Sequence, residues 1–329
     1  MLFRSWKPDP LPPCRWKLRS GANAAKSSTA TATTDTARKP PYVGRFAPTP
    51  SGDLHLGSLY TAVASFLDAR AHRGRWLLRL EDLDRPREVA GAADRILGTL
   101  EAFGFEWDGE IVRQCDRADH YLRALQTLQA RDLIFECSCS RLQLEEETCY
   151  PGTCRSGPAT LGVPTAARLR VEPGFVLFSD RIQGTYRQDV GRAVGDFILK
   201  RRDQVFAYQL AVVIDDAEQG ITHIVRGADL LDNTPRQIYL QQLLNLPRPA
   251  YAHVPVLTEP DDTKLAKSRR SVRLDIKSPA TQLFETFAML GLEPPPSLRT
   301  ASLRDSWAWA VGQWDIKRVP KRLHMRVTD

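Results

Sequence analysis

The sequence predicts an α/β fold built on a parallel sheet, and three observations carry that reading. A short apolar strand at 43–46 runs into a turn rich in Pro and Gly, then into a helical pattern from about 57 to 73. A second apolar strand at 76–80 is followed by helical patterns near 89–103 and 117–131. The alternation resumes after residue 196, through 196–200, 208–214, a strand at 222–226 and a helix at 235–244. Strand, helix, strand in this rhythm implies parallel strands joined by crossover helices.

The chain has 329 residues, 42% apolar and 26% charged, enough to bury a substantial core. No apolar run approaches the roughly 20 residues that span a bilayer, so no membrane partner is expected. Residues 1–41 read as a separate, disordered basic extension. The first forty carry eight Lys/Arg against two Asp, which accounts for six of the seven net positive charges. Bulk charge therefore does not argue for a polynucleotide partner. The extension is Arg-containing and poor in acids, as transit peptides are. A solvated tail is the simpler reading, and an upstream mis-called start would look the same.

The body divides at changes of rhythm: 42–136 is the first half of the sheet domain, and 137–190 an insertion rich in Gly, Pro and short strands. Residues 191–268 form the second half, and 269–329 a short helical C-terminal segment. In that last segment Leu303, Trp307, Ala310 and Trp314 recur at helix-face spacing, a core-packing pattern.

Chemistry concentrates in three places. The string Gly44-Arg45-Phe46-Ala47-Pro48-Thr49-Pro50-Ser51-Gly52-Asp53-Leu54-His55-Leu56-Gly57-Ser58 takes a strand through a turn into a helix start. A helix N-terminus presents unpaired N–H groups suited to phosphate. Gly57 admits a close approach, and His55 can donate to phosphate oxygens. The second place is Lys264-Leu265-Ala266-Lys267-Ser268, a basic loop able to close on a polyphosphate. Alone it would be an ordinary solvated charge run. The third is Cys137-Ser138-Cys139 with Cys149-Tyr150-Pro151-Gly152-Thr153-Cys154. Four thiolates could hold one tetrahedral zinc unaided, and thiolate chemistry by itself favours Cys149 as the fourth ligand. Reduced cysteines suit the cytoplasm.

Together, the first two strings resemble the HIGH and KMSKS signatures of class I aminoacyl-tRNA synthetases. Arg45 to Gly52, Arg79-Leu80-Glu81-Asp82-Leu83-Asp84 and Val225-Arg226-Gly227-Ala228-Asp229-Leu230 are similar to the glutamyl branch of that family, and in particular to its short paralogue without an anticodon-binding domain. The resemblance covers about 42–275. It implies a Rossmann-like catalytic domain with an inserted zinc-containing, acceptor-binding subdomain.

It further implies an ATP-dependent ligase that forms glutamyl-adenylate with Mg²⁺ and passes glutamate to queuosine in the wobble position of tRNA-Asp. The chain is then expected to act as a monomer. His55, Lys264 and Lys267 would be catalytic, and His55, Gly57, Ser58, Lys264 and Lys267 would hold ATP. Arg45, Thr49, Glu81, Tyr208 and Arg226 would hold glutamate: the arginines offer forks for its side-chain carboxylate, and Glu81 meets its ammonium. Two departures stand out. Val212 occupies a place where full-length glutamyl enzymes usually have Asn, and Ala266 replaces a signature Ser. For zinc the resemblance gives Cys137, Cys139, Tyr150 and Cys154, with Cys149 a spare neighbour. Sixty-one residues after the loop are too few for an anticodon domain, as the short paralogue requires. The alternatives are a minimal synthetase charging the 3′ end of tRNA-Glu and a non-catalytic RNA-binding paralogue.

Overall fold

The computed structural model describes residues 41–145, 147, 149–258 and 274–327. The extension 1–40 and the loop holding Lys264 and Lys267 lie outside the described residues.

The chain opens with β1 (Val43–Phe46), α1 (Leu56–Ala71) and β2 (Arg75–Leu80), a crossover unit with β1 and β2 parallel. Next come α2 (Ala92–Ala102), β3 (Val112–Arg113), parallel to β2, and α3 (Ala118–Gln129). The helical pattern expected from 89 begins only at Ala92. Gly91 before it has φ of 70°, a conformation that glycine adopts without a Cβ clash.

After β4 (Ile134–Cys137) and β5 (Ala166–Leu169), a hairpin forms from β6 (Phe175–Asp180) and β7 (Gly184–Asp189), followed by α4 (Val190–Ala193) and β8 (Ile198–Lys200). The second half then supplies α5 (Tyr208–Glu218), β9 (His223–Gly227), α6 (Thr234–Leu243), β10 (Ala250–Val254) and β11 (Val256–Thr258). The chain closes with α7 (Pro279–Met289), α8 (Leu303–Gln313) and β12 (His324–Arg326).

The second sheet runs β7-β6-β10-β9, with β6, β10 and β9 parallel. It abuts the β1-β2-β3 sheet where Thr222 N donates to Val43 O at 2.9 Å and Val43 N donates to Thr222 Oγ1 at 2.8 Å. Both faces are covered, as a parallel sheet demands. On β2, Trp76 and Leu78 join a core with Leu59, Val63, Phe103, Phe287 and Trp307. Leu77, pointing the other way, joins Tyr121, Leu128, Leu210 and Ile238.

The sheets divide the middle of the chain differently from the expected 137–190 insertion. Strands β4, β5 and β8 make a separate antiparallel sheet, which therefore begins before 137 and ends after 190. The β6–β7 hairpin belongs to the main sheet instead. Alternate residues Val176 and Phe178 of β6 are buried in the core that also holds Ile238 of α6, so hydrophobic alternation assigns this strand to the larger sheet.

The C-terminal segment is helical as expected, but it ends in β12, paired in parallel with β11. Trp307 is buried, and its Nε1 donates to Phe103 O at 2.9 Å. Trp314 Nε1 donates to Asp68 Oδ1 at 3.0 Å. Asp68, wholly buried on α1, also receives Tyr42 Oη and the Arg181 guanidinium. One carboxylate thus ties α1 to the chain entering β1, to the hairpin and to the C-terminal segment. Asp68→Ala leaves those donors without their acceptor and is expected to cost roughly 3–5 kcal/mol in urea unfolding. A loss below about 1 kcal/mol would remove Asp68 from this role.

Candidate active site

The residues of interest converge at the C-terminal ends of parallel strands, where open α/β sheets bind ligands. Arg45 lies on β1 and Thr49 in the loop after it. Glu81 follows β2, and Arg226 lies near the end of β9. Backbone bonds hold the loops in place: Glu81 N donates to Pro48 O, and Val89 N to Pro50 O, each at 3.0 Å.

One pocket of about 280 Å³ is lined by the loop Phe46 to Thr49, by Gly52, His55, Gly57 and Ser58, by Gly227, Asp229 and Leu230, and by Pro255 to Leu257. It joins the N-terminus of α1 to the ends of β9 and β10. His55 is the N-cap of α1, and its Nδ1 accepts from Ser58 N at 3.3 Å. That bond puts the imidazole proton on Nε2, so the ring offers a donor on its other side. Gly57 has a role the sequence did not suggest. A Cβ there would sit 3.1 Å from the His55 ring, so glycine lets the imidazole fold over the helix start. The chain leaves β11 at Thr258, next to this pocket, and runs into the segment that holds Lys264 and Lys267.

A second pocket of about 340 Å³ is lined by Thr49, Glu81, Asp84, Gln114, Arg141, Arg201, Phe206 and Tyr208, among others. Thr49 borders both pockets. Behind it lies a buried charge cluster. Asp216 of α5 meets Arg45 Nε at 3.3 Å and Arg79 Nη1 at 2.9 Å. Arg79 also faces Glu81 at 3.6 Å and Asp215 at 3.7 Å. Asp215 is further held by Arg117, Gln114 and Tyr121. Burial raises the Asp216 carboxyl, but Arg45 and Arg79 outweigh it and hold the group below its ordinary range. For Glu81 burial prevails, only partly offset by Arg79 and Arg45, and its carboxyl is pushed up to about 7. Tyr208 is raised by burial. Val212, on the same helix, is buried and apolar.

Arg226 is buried on β9. Its Nε donates to His253 Nε2 at 3.0 Å and its Nη2 to Thr234 Oγ1 at 2.8 Å. The structure thus gathers Arg45, Glu81, Tyr208 and Arg226 with residues that sequence reasoning missed: Arg79, Asp180, Asp215, Asp216 and His253. The missed acids left a trace, since Asp215-Asp216 directly follow the apolar run Val212-Val213-Ile214. A charge pair in a buried helix segment requires cations nearby.

At the end of β4 and in the loop that follows it, Cys137, Cys139 and Cys154 bring their sulfurs within 4.8 Å of one another. Tetrahedral zinc with Zn–S of about 2.3 Å needs sulfurs about 3.8 Å apart, so the cluster fits with small adjustment. The Tyr150 oxygen lies 3.4 Å from Cys137 Sγ and 3.7 Å from Cys139 Sγ. Cys149 instead directs its sulfur at Gly191 O, 3.6 Å away. Burial raises the Cys154 thiol, yet donors from Ala159 N and Ser138, with Tyr150 and Cys139, bring it down to about 6.

The family model for class I tRNA synthetases (E and Q), catalytic domain, matches residues 42–153 and 161–293. The chain belongs to this family of class I tRNA synthetases. It is accordingly a ligase of the aminoacyl-tRNA synthetase type. It is 53% identical over 281 residues to the glutamyl-Q tRNA(Asp) synthetase of Ectopseudomonas mendocina, covering 85% of this chain and 95% of that one. It is 51% identical over 291 residues to the protein of the same name from Aromatoleum aromaticum, covering 86% and 92%. In fold it is similar to the glutamate-tRNA synthetase of Elizabethkingia anophelis, with a TM-score of 0.74 at 22% identity, over 88% of this chain and 68% of that one. Among the described residues no helix is long and apolar enough to cross a membrane.

The Glu81 shift has a stability consequence. Its folded-state value lies above the ordinary 4.5, so ionising it opposes the fold, and the cost grows as pH rises from about 4.5 through 7. Glu81→Gln is expected to gain in Tm relative to the parent between pH 5 and pH 8. A Tm difference independent of pH would contradict the raised value.

Proposed function

We propose that the chain activates glutamate with ATP and transfers it to queuosine in the wobble position of tRNA-Asp. The pair of pockets meeting at Thr49 carries the activation step. ATP occupies the pocket at the start of α1, and glutamate the pocket beside Glu81 and Tyr208. The reacting carboxylate then meets the α-phosphate at their junction. Glutamate's carboxylate oxygen bonds to the α-phosphorus, pyrophosphate leaves, and glutamyl-adenylate remains.

Arg45 and Arg226 hold the side-chain carboxylate, Thr49 and Tyr208 offer hydroxyls, and Glu81 in its ionised form takes the ammonium. His55 Nε2–H, with Lys264 and Lys267 from the loop, neutralises charge developing on the phosphates, and Gly57 and Ser58 border them. Mg²⁺, when bound, adds positive charge to the polyphosphate. No side-chain nucleophile is needed, because positioning carries the reaction. A hydroxyl of the acceptor nucleoside then displaces AMP from the adenylate.

The acceptor rests on the relatives, which share half of their residues with this chain and are named for glutamyl-Q tRNA(Asp). We also read Cys137, Cys139, Tyr150 and Cys154 as the ligands of one structural zinc. The Tyr150 oxygen beside two of the sulfurs supports this set, and the turned-away Cys149 argues against the four-cysteine one.

Labelled glutamate with ATP is expected to mark tRNA-Asp from queuosine-containing cells and not the same tRNA from cells unable to make queuosine. Labelling of tRNA-Glu instead would make this a minimal translation synthetase. Pyrophosphate exchange with glutamate and ATP is expected without tRNA, and His55→Ala or Lys267→Ala is expected to lower it about 100-fold. Absent exchange in the folded parent protein would favour an RNA-binding role. For the metal, Cys149→Ser is expected to keep one zinc per chain by elemental analysis, and Tyr150→Phe to weaken its retention against a chelator. The reverse pattern would assign the fourth ligand to Cys149.

A further inference from the structure

A row of three buried side chains crosses the main sheet behind the glutamate pocket. The parallel register of β9 and β10 sets Arg226 opposite His253. The pairing of β10 with β6 sets Tyr251 opposite Asp180 and brings the Asp180 carboxylate to His253. His253 Nδ1 lies 2.6 Å from Asp180 Oδ2, and His253 Nε2 accepts from Arg226 Nε at 3.0 Å. Arg226, His253 and Asp180 are all buried.

The hydrogen bonds fix the proton's position. Arg226 Nε is always a donor, so His253 Nε2 must present its lone pair, and the imidazole proton sits on Nδ1 facing Asp180. Asp180 is itself immobilised. Its Oδ1 accepts from Ile182 N at 3.0 Å, Gln183 N at 2.8 Å and His253 N at 3.2 Å. Burial and the charges of Arg226 and Arg45 keep the imidazole neutral, lowering it to about 4 against the pull of Asp180.

The choice of partner has a consequence for charge. Arg45 pairs with Asp216, and Arg79 with Asp216, Asp215 and Glu81, so both arginines already face carboxylates within the protein. Arg226 differs: its hydrogen-bond partners are a neutral imidazole, the Thr234 hydroxyl and Leu230 O, its guanidinium lies over the uncharged Tyr251 ring, and none of the ion pairs among the described residues includes it. Its remaining nitrogen, Nη1, is buried with no hydrogen-bond partner among the described residues. Buried donors in native proteins are rarely left unmet, and a ligand carboxylate would satisfy this one.

We propose that His253 is a positioning residue for glutamate: held by Asp180, it orients Arg226 without neutralising it and so reserves Nη1 and a net positive charge for the substrate's side-chain carboxylate. The inference rests on the glutamate-activating reading above. It also predicts selection against glutamine, whose amide carries no charge for Arg226 to meet.

Two substitutions separate the ends of the imidazole. His253→Asn keeps a donor for Asp180 and loses the acceptor at Arg226, whereas His253→Gln can place its Oε1 at the acceptor position. Exchange kinetics with the full chain are expected to show glutamate KM raised about tenfold in His253→Asn, with ATP KM within about twofold. Preference for glutamate over glutamine falls in the same variant, and His253→Gln keeps glutamate KM within about threefold of the parent. Equal effects of Asn and Gln, or equal changes in both KM values, would overturn the proposal. Should His253→Asn lose its fold, Thr234→Val takes the acceptor from Nη2, and an unchanged glutamate KM there overturns it as well. If the parent protein shows no exchange, the activation reading fails on its own, and calorimetric binding of glutamate reads the same split.

Discussion

The structure turns on a buried exchange of charge between α5 and the first two strands. Asp215 and Asp216 have no water to solvate them, and Arg79 lies fully inside the protein. Each group is tolerable only in the presence of the others, because an isolated buried charge costs several kcal/mol. The helix is therefore held in one register against β1 and β2, which carry Arg45 and Arg79. Val212 and Tyr208, about one and two turns earlier on α5, are placed as a result. The apolar core alone would tolerate some sliding of α5, but the charge cluster does not.

That constraint extends to the ligand pockets. Glu81 is near Arg79 but poorly compensated, which is why its carboxyl titrates close to neutrality. An ammonium, in the proposed role of Glu81, would supply the missing compensation. Arg226 is the counterpart on the same face of the sheet, a cation whose hydrogen-bond partners are neutral. The two pockets meet at Thr49 because the loop after β1 is pinned by backbone bonds from the ends of β2 and of the next turn. Tight loops on a rigid sheet give the positional accuracy that a reaction run by orientation requires.

The cysteine cluster follows different rules. It stands on a small antiparallel sheet with few apolar residues of its own: Phe135, Cys137 and Cys154 form a minor core with Cys139 and Tyr150 at its edge. A core of that size supplies little stability, and a metal bound by three thiolates would supply the rest. The groove beside it, lined by Arg141, Arg168, Arg201 and Arg202, shares Arg141 and Arg201 with the pocket beside Glu81 and Tyr208.

Much of this was legible in the sequence. Apolar runs and turn residues determined β1, β2 and the crossover helices, since those elements arise from local periodicity. The strings around His55, Glu81 and Arg226 carried the family, because close approach of phosphate and carboxylate demands particular residues at particular spacings. Helix face spacing put Trp307 in the core. Tertiary structure decided the rest. Strand register, not sequence distance, brought Asp180 to His253 and His253 to Arg226, residues far apart in the chain. Hydrophobic alternation on β6 moved the hairpin into the main sheet, and the turn of the backbone at Cys149 pointed its sulfur away from the cluster. Such pairings depend on which elements lie side by side, and a one-dimensional pattern holds no record of that.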